Sequence, residues 1–368
     1  MTEVSAERIF DGDAWHDNAT LVIEDGKVAA IKPAMGNVAP GFLAPGFVDL
    51  QVNGGGGALF NGSPTVETIR IMCATYARFG TTGLLPTLIT DTPEITAKAV
   101  AAGIAAKGTP GFLGLHLEGP HLSIARKGAH DPALIRKMTE ADLAALVEAA
   151  RALPHLLTTI AVESVSRGQI AELTAAGITV SIGHSDASYP QAKAAVVAGA
   201  TMTTHLFNAM SQLGNREPGL VGATLDDGRL HAGLIADGIH VDAATIGVAM
   251  RAKRGPGKIV LITDAMSVTG TDEQTFTLNG RTIHRQNGAL RLADGTLAGA
   301  DLTMIDAVRL IVGQGYERDE VLRMASVYPA AIIGREARLI PGAPADFVHI
   351  SNDLAVTATW IAGNRVFG

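Results

Sequence analysis

The sequence predicts an α/β protein: a (β/α)8 TIM barrel joined to a small β-sandwich domain built from both chain ends. Three observations carry this. Eight short apolar runs alternate with longer helical patterns through the middle of the chain. Strand-like runs punctuated by turn residues occupy both ends. The 368 residues, 47% hydrophobic and only 4% aromatic, suit one large barrel with an appendage better than a β-sandwich alone.

The elements follow in order. ATLVIEDGKVAAIKP (19–33) reads as two strands around Asp25-Gly26, a hairpin signal. The strand candidates of the barrel are FVDLQVN, TTGLLPTL, FLGLHLEG, LTTIAVE, ITVSIGH, TMTTHLF, LHAGLIAD and KIVLITDA. Helical patterns separate most of them, among them PEITAKAVAAGIAAK, TEADLAALVEAARAL, RGQIAELTAAG, YPQAKAAVVAG and DAATIGVAMRAK. The segment 274–299 after the eighth run reads as inserted β-hairpins. ADFVHISNDLAVTATWIAGNRVFG (345–368) returns to strand runs broken at Asn352-Asp353 and Gly363-Asn364. The expected division is a small β domain from 1–42 and 335–368, and a barrel over 43–334.

Composition excludes several functions. A net charge of -7 argues against nucleic acid as the main partner. The N-terminus MTEVSAERIF has acidic residues and no apolar signal core, and no apolar run reaches membrane-spanning length. A soluble, cytoplasmic protein is expected, with no membrane partner. The single cysteine, Cys73, lies in the helical pattern ETIRIMCATYARFG and reads as a small buried residue. No phosphate-cradling G-x-x-x-x-G-K-[ST] loop and no G-x-S-x-G nucleophile elbow occurs. The glycines after Asn53 read as a rim loop able to approach a ligand closely.

Chemistry in this fold gathers at the C-terminal strand ends. The third run ends in Glu118, the fifth in His184, the sixth in His205 and the eighth in Asp264. Singly, a strand-end His is most often a structural hydrogen-bonding group and an Asp before a helix an N-cap. Four on the one rim where sites form point to function instead. Two His and one Glu supply N and O ligands to a divalent metal, leaving positions for water and substrate. Asp264 would then be free as a general base that passes its proton to the leaving group. His130, Asn208, Arg216 and His240 follow the same rim, and Arg216 is suited to a phosphate or carboxylate. His116 shares a strand face with Glu118 and reads as a supporting or core residue rather than a ligand.

PGFVDLQVNGGGG, GLHLEGPHLS, KGAH, GHSDA, THLFNAM, REPG, ADGIH and LITDAM, in this order, resemble the N-acetylglucosamine-6-phosphate deacetylases of the amidohydrolase superfamily. The resemblance covers nearly the whole chain. It implies a homodimer that removes the acetyl group of N-acetyl-D-glucosamine 6-phosphate, giving D-glucosamine 6-phosphate and acetate, in amino-sugar catabolism or cell-wall recycling. It implies Glu118, His184 and His205 as metal ligands, Asp264 as general base and then acid, and His130 as the group polarising the acetamide carbonyl. It implies Ala129, Asn208, Ala209, Arg216 and His240 around the sugar phosphate, part of which a neighbouring subunit can supply, and Leu297, Ala298 and Gly299 as a further substrate contact. Members with His-x-His on strand one bind two metals; Gln51 and Asn53 resemble the one-metal members. One divalent metal per chain is expected, Zn2+ foremost, with Fe2+, Co2+ or Mn2+ suited to the same ligands. The alternatives are an N-acetylgalactosamine-6-phosphate deacetylase, an amidohydrolase acting on a cyclic amide, or a non-enzymatic scaffold; the last would have lost members of the strand-end set.

Overall fold

The computed structural model describes residues 1–368. The chain opens with strands β1 (Thr2–Phe10), β2 (Trp15–Glu24), β3 (Lys27–Pro33) and β4 (Ala39–Pro45). The β2–β3 turn is Asp25-Gly26, both in the left-handed region at φ 49° and 76°, the backbone a two-residue hairpin turn requires. The barrel begins with β5 (Phe47–Val52), followed by a two-residue ladder, β6 (Gly54–Gly55) with β7 (Ala58–Leu59). Then alternate α1 (Val66–Ala77), β8 (Thr81–Ile89), α2 (Pro93–Ala105), β9 (Leu115–Glu118), α3 (Glu140–Ala152) and β10 (Leu156–Ile160). The alternation continues through α4 (Arg167–Ala175), β11 (Thr179–Ile182), α5 (Tyr189–Ala198), β12 (Met202–Thr203), α6 (Gly219–Asp226), β13 (His231–Leu234), α7 (Ala243–Ala252) and β14 (Ile259–Leu261). Hairpin strands β15 (Thr275–Leu278), β16 (Arg281–Gln286), β17 (Ala289–Arg291) and β18 (Leu297–Ala300) are inserted next. Helices α8 (Met304–Gly313), α9 (Arg318–Ala325) and α10 (Val327–Ile332) lead to β19 (Phe347–Ile350), β20 (Val356–Ile361) and β21 (Asn364–Phe367). No helix is long and apolar enough to cross a membrane.

Local sequence explains where the helices start. Thr65, Thr92, Thr139, Ser166 and Ser188 each sit before a helix and accept a bond from a first-turn amide. Thr139 with Asp142, Ser166 with Gln169 and Ser188 with Gln191 close reciprocal capping boxes. These signals place α3, α4 and α5 between their strands.

The eight barrel strands pair in the order β5-β8-β9-β10-β11-β12-β13-β14, all parallel. Between β14 and β5 the ring closes through single bonds rather than a ladder. Asp264 N donates to Gln51 O at 2.9 Å and Asn53 N to Ala265 O at 2.8 Å. Below them the buried Asp49 carboxylate accepts from Thr263 Oγ1 at 2.6 Å and Thr263 N at 3.2 Å. Burial pushes Asp49 up to about 7, against the bonds from Thr263 and Gln51. A hydroxyl–imidazole chain crosses the barrel interior: His116 Nε2 bonds Thr159 Oγ1 at 2.8 Å, and Thr204 Oγ1 lies 2.6 Å from both Thr159 Oγ1 and Ser181 Oγ. His116 is therefore a satisfied interior group beneath the rim, held below the usual imidazole range to about 4 by burial.

Both chain ends meet in one seven-stranded sheet, ordered β21-β20-β19-β4-β1-β2-β3. The expected sandwich is this single sheet curled on itself: Lys27 bridges Pro344, and Ile23 packs against the Gly363 turn. β4 keeps the sheet through Pro45, past the boundary at residue 42 expected from sequence. Its core holds Ile9, Leu21, Ile23, Leu43, Phe347 and Trp360. The Phe347 and Trp360 rings stack 4.5 Å apart at 9°. Phe347→Ala is expected to cost about 3–5 kcal/mol of stability. Denaturant melts should show this, with turnover of the folded fraction unchanged because the residue does not line the pocket described below.

The glycines after Asn53 do not form a ligand-approaching loop. Gly54, Gly56 and Gly57 donate their amides to Ala265, Thr269 and Ser267, and Tyr76 Oη bonds Gly54 O at 2.6 Å. A Cβ on Gly54 would sit 2.5 Å from Ala58 O, and one on Gly55 2.6 Å from the Tyr76 ring. Close packing against α1 and the segment after β14 sets these glycines. Cys73 is buried on α1, its thiol pushed up to about 12 by burial, so it is no nucleophile.

Candidate metal centre and active-site pocket

Most barrel strands other than β8 are shorter than their apolar runs because the chain turns at the rim. Glu118 is the last residue of β9. His184 follows β11, His205 follows β12 and Asp264 follows β14, at φ 45°, 30° and 51°. Left-handed backbone in residues other than Gly costs of the order of 1–3 kcal/mol each and persists where surroundings enforce it. Here the turn swings each side chain off the strand and over the barrel mouth. Glu118, His184, His205 and Asp264 are thereby brought together.

Glu118 Oε1 lies 3.1 Å from His205 Nε2 and 3.3 Å from His184 Nε2, and the two Nε2 atoms are 3.1 Å apart. His184 Nδ1 faces Arg126 O at 2.8 Å and His205 Nδ1 faces Asn208 O at 3.1 Å. A carbonyl only accepts, so in each neutral ring Nδ1 carries the proton and Nε2 the lone pair. Three lone-pair atoms then point at one spot, an arrangement that a cation would satisfy. A tetrahedral ion with bonds of about 2.0–2.2 Å sets its ligands about 3.3–3.6 Å apart, close to the observed triangle. The three residues could hold a metal ion, and the donor set fits one.

Asp264 stands beside this triangle, clamped by the side-chain amides of Gln51 and Asn53. Gln51 Nε2 donates to Asp264 Oδ1 at 3.1 Å and to Glu118 Oε1 at 3.0 Å. Asn53 Nδ2 donates to Asp264 Oδ1 at 2.6 Å. Gln51 thus bridges the two carboxylates with N–H donors. Burial, then the Glu118 charge, pushes Asp264 up to about 6, with His205 and Asn53 acting in the opposite sense. A carboxylate in that range is matched to proton transfer near neutral pH. Asn53, which lines the pocket, keeps its Oδ1 buried without a partner.

These groups floor a cavity of about 230 Å³. His130, Ala129, Asn208, Ala209, His240, Leu297, Ala298 and Gly299 line it with them. His130 Nε2 is 3.7 Å from Glu118 Oε2, and its Nδ1 bonds Thr90 Oγ1 at 2.8 Å. Burial, with the neighbouring His184, holds His130 well below the usual imidazole range. The inserted hairpins form one wall through Leu278 and Thr296–Gly299. Arg216 is the exception. It is exposed, in the exposed 212–217 segment, and does not line the pocket. Sequence reading missed Asp237, whose Oδ2 bonds His240 Nδ1 at 2.6 Å; the i,i+3 spacing within ADGIH was the available signal. It also missed the apolar walls Ile89, Ile235 and Met266, which look like ordinary core, and Thr90, which carries no signal. In a larger groove of about 370 Å³ between α2 and α3, Arg136 and Asp142 pair with each other and His121 bonds Arg136 O.

Comparison with known proteins shows the family. The pattern of the amidohydrolase family matches residues 42–366. The chain is 40% identical to N-acetylgalactosamine-6-phosphate deacetylase of Shewanella sp. (strain ANA-3) over 373 residues, covering 100% of this chain and 93% of that one. It is 39% identical to N-acetylglucosamine-6-phosphate deacetylase of Haemophilus influenzae, covering 81% of this chain and 78% of the other. The crystal structure of a variant Mycobacterium smegmatis N-acetyl-D-glucosamine-6-phosphate deacetylase in complex with N-acetyl-D-glucosamine-6-phosphate superposes with a TM-score of 0.93 at 34% identity, covering 100% of this chain and 99% of that one. The chain belongs to the amidohydrolase family, among its amino-sugar-6-phosphate deacetylases.

Proposed function

We propose that this protein hydrolyses the N-acetyl group of N-acetyl-D-glucosamine 6-phosphate, giving D-glucosamine 6-phosphate and acetate. The observation that carries the reading is the convergence of Glu118, His184 and His205 beside an amide-clamped Asp264 in one rim pocket. Glu118 Oε1 and the Nε2 atoms of the two histidines would hold one divalent ion per chain; zinc suits these donors, as do Fe2+, Co2+ and Mn2+. When bound, the ion supplies the positive charge that acidifies the attacking water and polarises the acetamide carbonyl.

The chain's own residues do the rest. Asp264 takes the proton of the attacking water and later delivers it to the leaving amine nitrogen. Gln51 and Asn53 hold Asp264 Oδ1, so Oδ2 is the oxygen free to move the proton. His130 donates to the carbonyl oxygen as negative charge develops there. Asn208, Ala209 and Ala129 bound the sugar side, and His240, oriented by Asp237, reaches toward the phosphate. Arg216, exposed beside the half-exposed Leu213, would meet the phosphate at the mouth or from a second copy in a homodimer. Arg216→Ala is expected to raise KM for the phosphorylated sugar at least about 10-fold and to leave KM for the unphosphorylated sugar unchanged, read by steady-state kinetics.

The close match to the Shewanella enzyme favours one second reading, N-acetylgalactosamine 6-phosphate. The two sugars differ in one hydroxyl's orientation. Acetate release from both epimers, with and without phosphate, separates them. The reading requires the highest kcat/KM on N-acetylglucosamine 6-phosphate; a higher value on the galacto epimer would replace it.

A further inference from the structure

The two histidines of the metal triangle are held in different ways. His205 Nδ1 meets its acceptor three residues on in its own turn, Asn208 O at 3.1 Å. His184 Nδ1 meets its acceptor on the loop after β9, Arg126 O at 2.8 Å, 58 residues away in sequence. Arg126 ends a short 3-10 turn, Ile124–Arg126. None of the roles above uses its side chain. That side chain returns to the segment its carbonyl binds: Nε and Nη2 both donate to Asp186 Oδ1 at 2.8 Å. Asp186 lies two residues after His184. A ring thereby closes. It runs from His184 along the chain to Asp186, across to the Arg126 guanidinium, and from the Arg126 carbonyl back to the imidazole.

Further bonds brace the ring on both sides. Ser123 N donates to His184 O at 2.9 Å. Glu163, after β10, accepts from Ser185 Oγ and Asp186 N, each at 2.6 Å. Within the ring, Arg126–Asp186 is the one contact made by two side chains, which are 36% and 49% exposed. A pair so exposed adds little to folding. Its effect falls on where the Arg126 carbonyl sits, and through that carbonyl on the aim of His184 Nε2. We propose that Arg126 and Asp186 are positioning residues that hold the acceptor of His184 Nδ1–H in place and so tighten the metal site.

The inference rests on the ligand set given under the proposed function, and zinc binding by the unmodified protein tests that set separately. With a chelator in competition, Arg126→Ala should weaken zinc binding about 10-fold, and Asp186→Ala by a similar factor. Asp186→Ala keeps the backbone bond to Glu163, so only the side-chain contact is removed. The doubly substituted protein should lie within about 2-fold of either single variant. Both Arg126 N–H groups meet one oxygen, so the single ammonium of Arg126→Lys should restore affinity to within about 3-fold of the unmodified protein. The metal-free melting temperature should move by no more than about 2 °C in any variant, which separates aiming a ligand from losing the fold. Unchanged zinc affinity in Arg126→Ala, losses that multiply in the double variant, or a metal-free melt that falls in step with affinity would overturn the proposal. An unmodified protein that binds no zinc would overturn the ligand set itself, and this inference with it.

Discussion

Replacing Asp264 with Asn is expected to lower kcat by about 10²- to 10⁴-fold, roughly 3–5 kcal/mol of barrier, with KM changed only a few-fold. The substitution is nearly isosteric. An Asn oxygen can still accept from Gln51 Nε2 and Asn53 Nδ2, which bond Asp264 Oδ1 at 3.1 and 2.6 Å. The strained turn at φ 51° tolerates Asn as well as Asp. What is lost is the ability to take a proton, because an amide nitrogen replaces the free carboxylate oxygen. Metal content should stay at one equivalent, since Asp264 is not in the Glu118–His184–His205 triangle. Steady-state kinetics with parallel metal analysis decides it: near-normal turnover in a folded, metal-loaded variant would remove Asp264 from the role of base.

Glu118→Ala should abolish activity through a different route. The triangle keeps two neutral imidazoles and loses its only negative charge. Loss of a partner outside the ligand set costs about 10- to 100-fold in metal affinity, and deleting a ligand should cost more. The metal-dependent rise in melting temperature should vanish with it. A ligand at 1,000 times its Kd contributes about 4 kcal/mol to folding, so the unmodified protein should melt higher with metal than without, and the variant should melt alike in both. A variant that still retained a full equivalent after dialysis would show that Glu118 is not a ligand.

The strand-end residues were legible because a barrel strand's C-terminal end is a fixed address, readable wherever an apolar run stops. Glu118, His184, His205 and Asp264 all occupy that address. The exact strand ends were not legible. His184, His205 and Asp264 take left-handed backbone, which His and Asp adopt more readily than most residues but which only the packed rim enforces here. Asp25-Gly26 was legible because that turn is specified by its own two residues. The parallel pairing of β1 with β4 was not, because its register, Ile9 with Leu43, depends on contacts distant in sequence. Thr90 was invisible for the same reason: its partner His130 is 40 residues away on another strand's loop. Gln51 and Asn53 could be read as amides where some relatives carry histidines. Their donation to Glu118 and Asp264 emerges only once β5 and β14 lie side by side.

That amide bridge bears on the central claim. With Gln51 N–H groups on both carboxylates, the space between Glu118 and Asp264 already holds a donor, which would leave one cation site. The most direct test is a titration of metal-free enzyme with zinc, following acetate released from N-acetylglucosamine 6-phosphate. The account predicts activity that rises linearly and saturates at about one zinc per chain. Saturation only at two per chain, or no acetate at any zinc level, would contradict it.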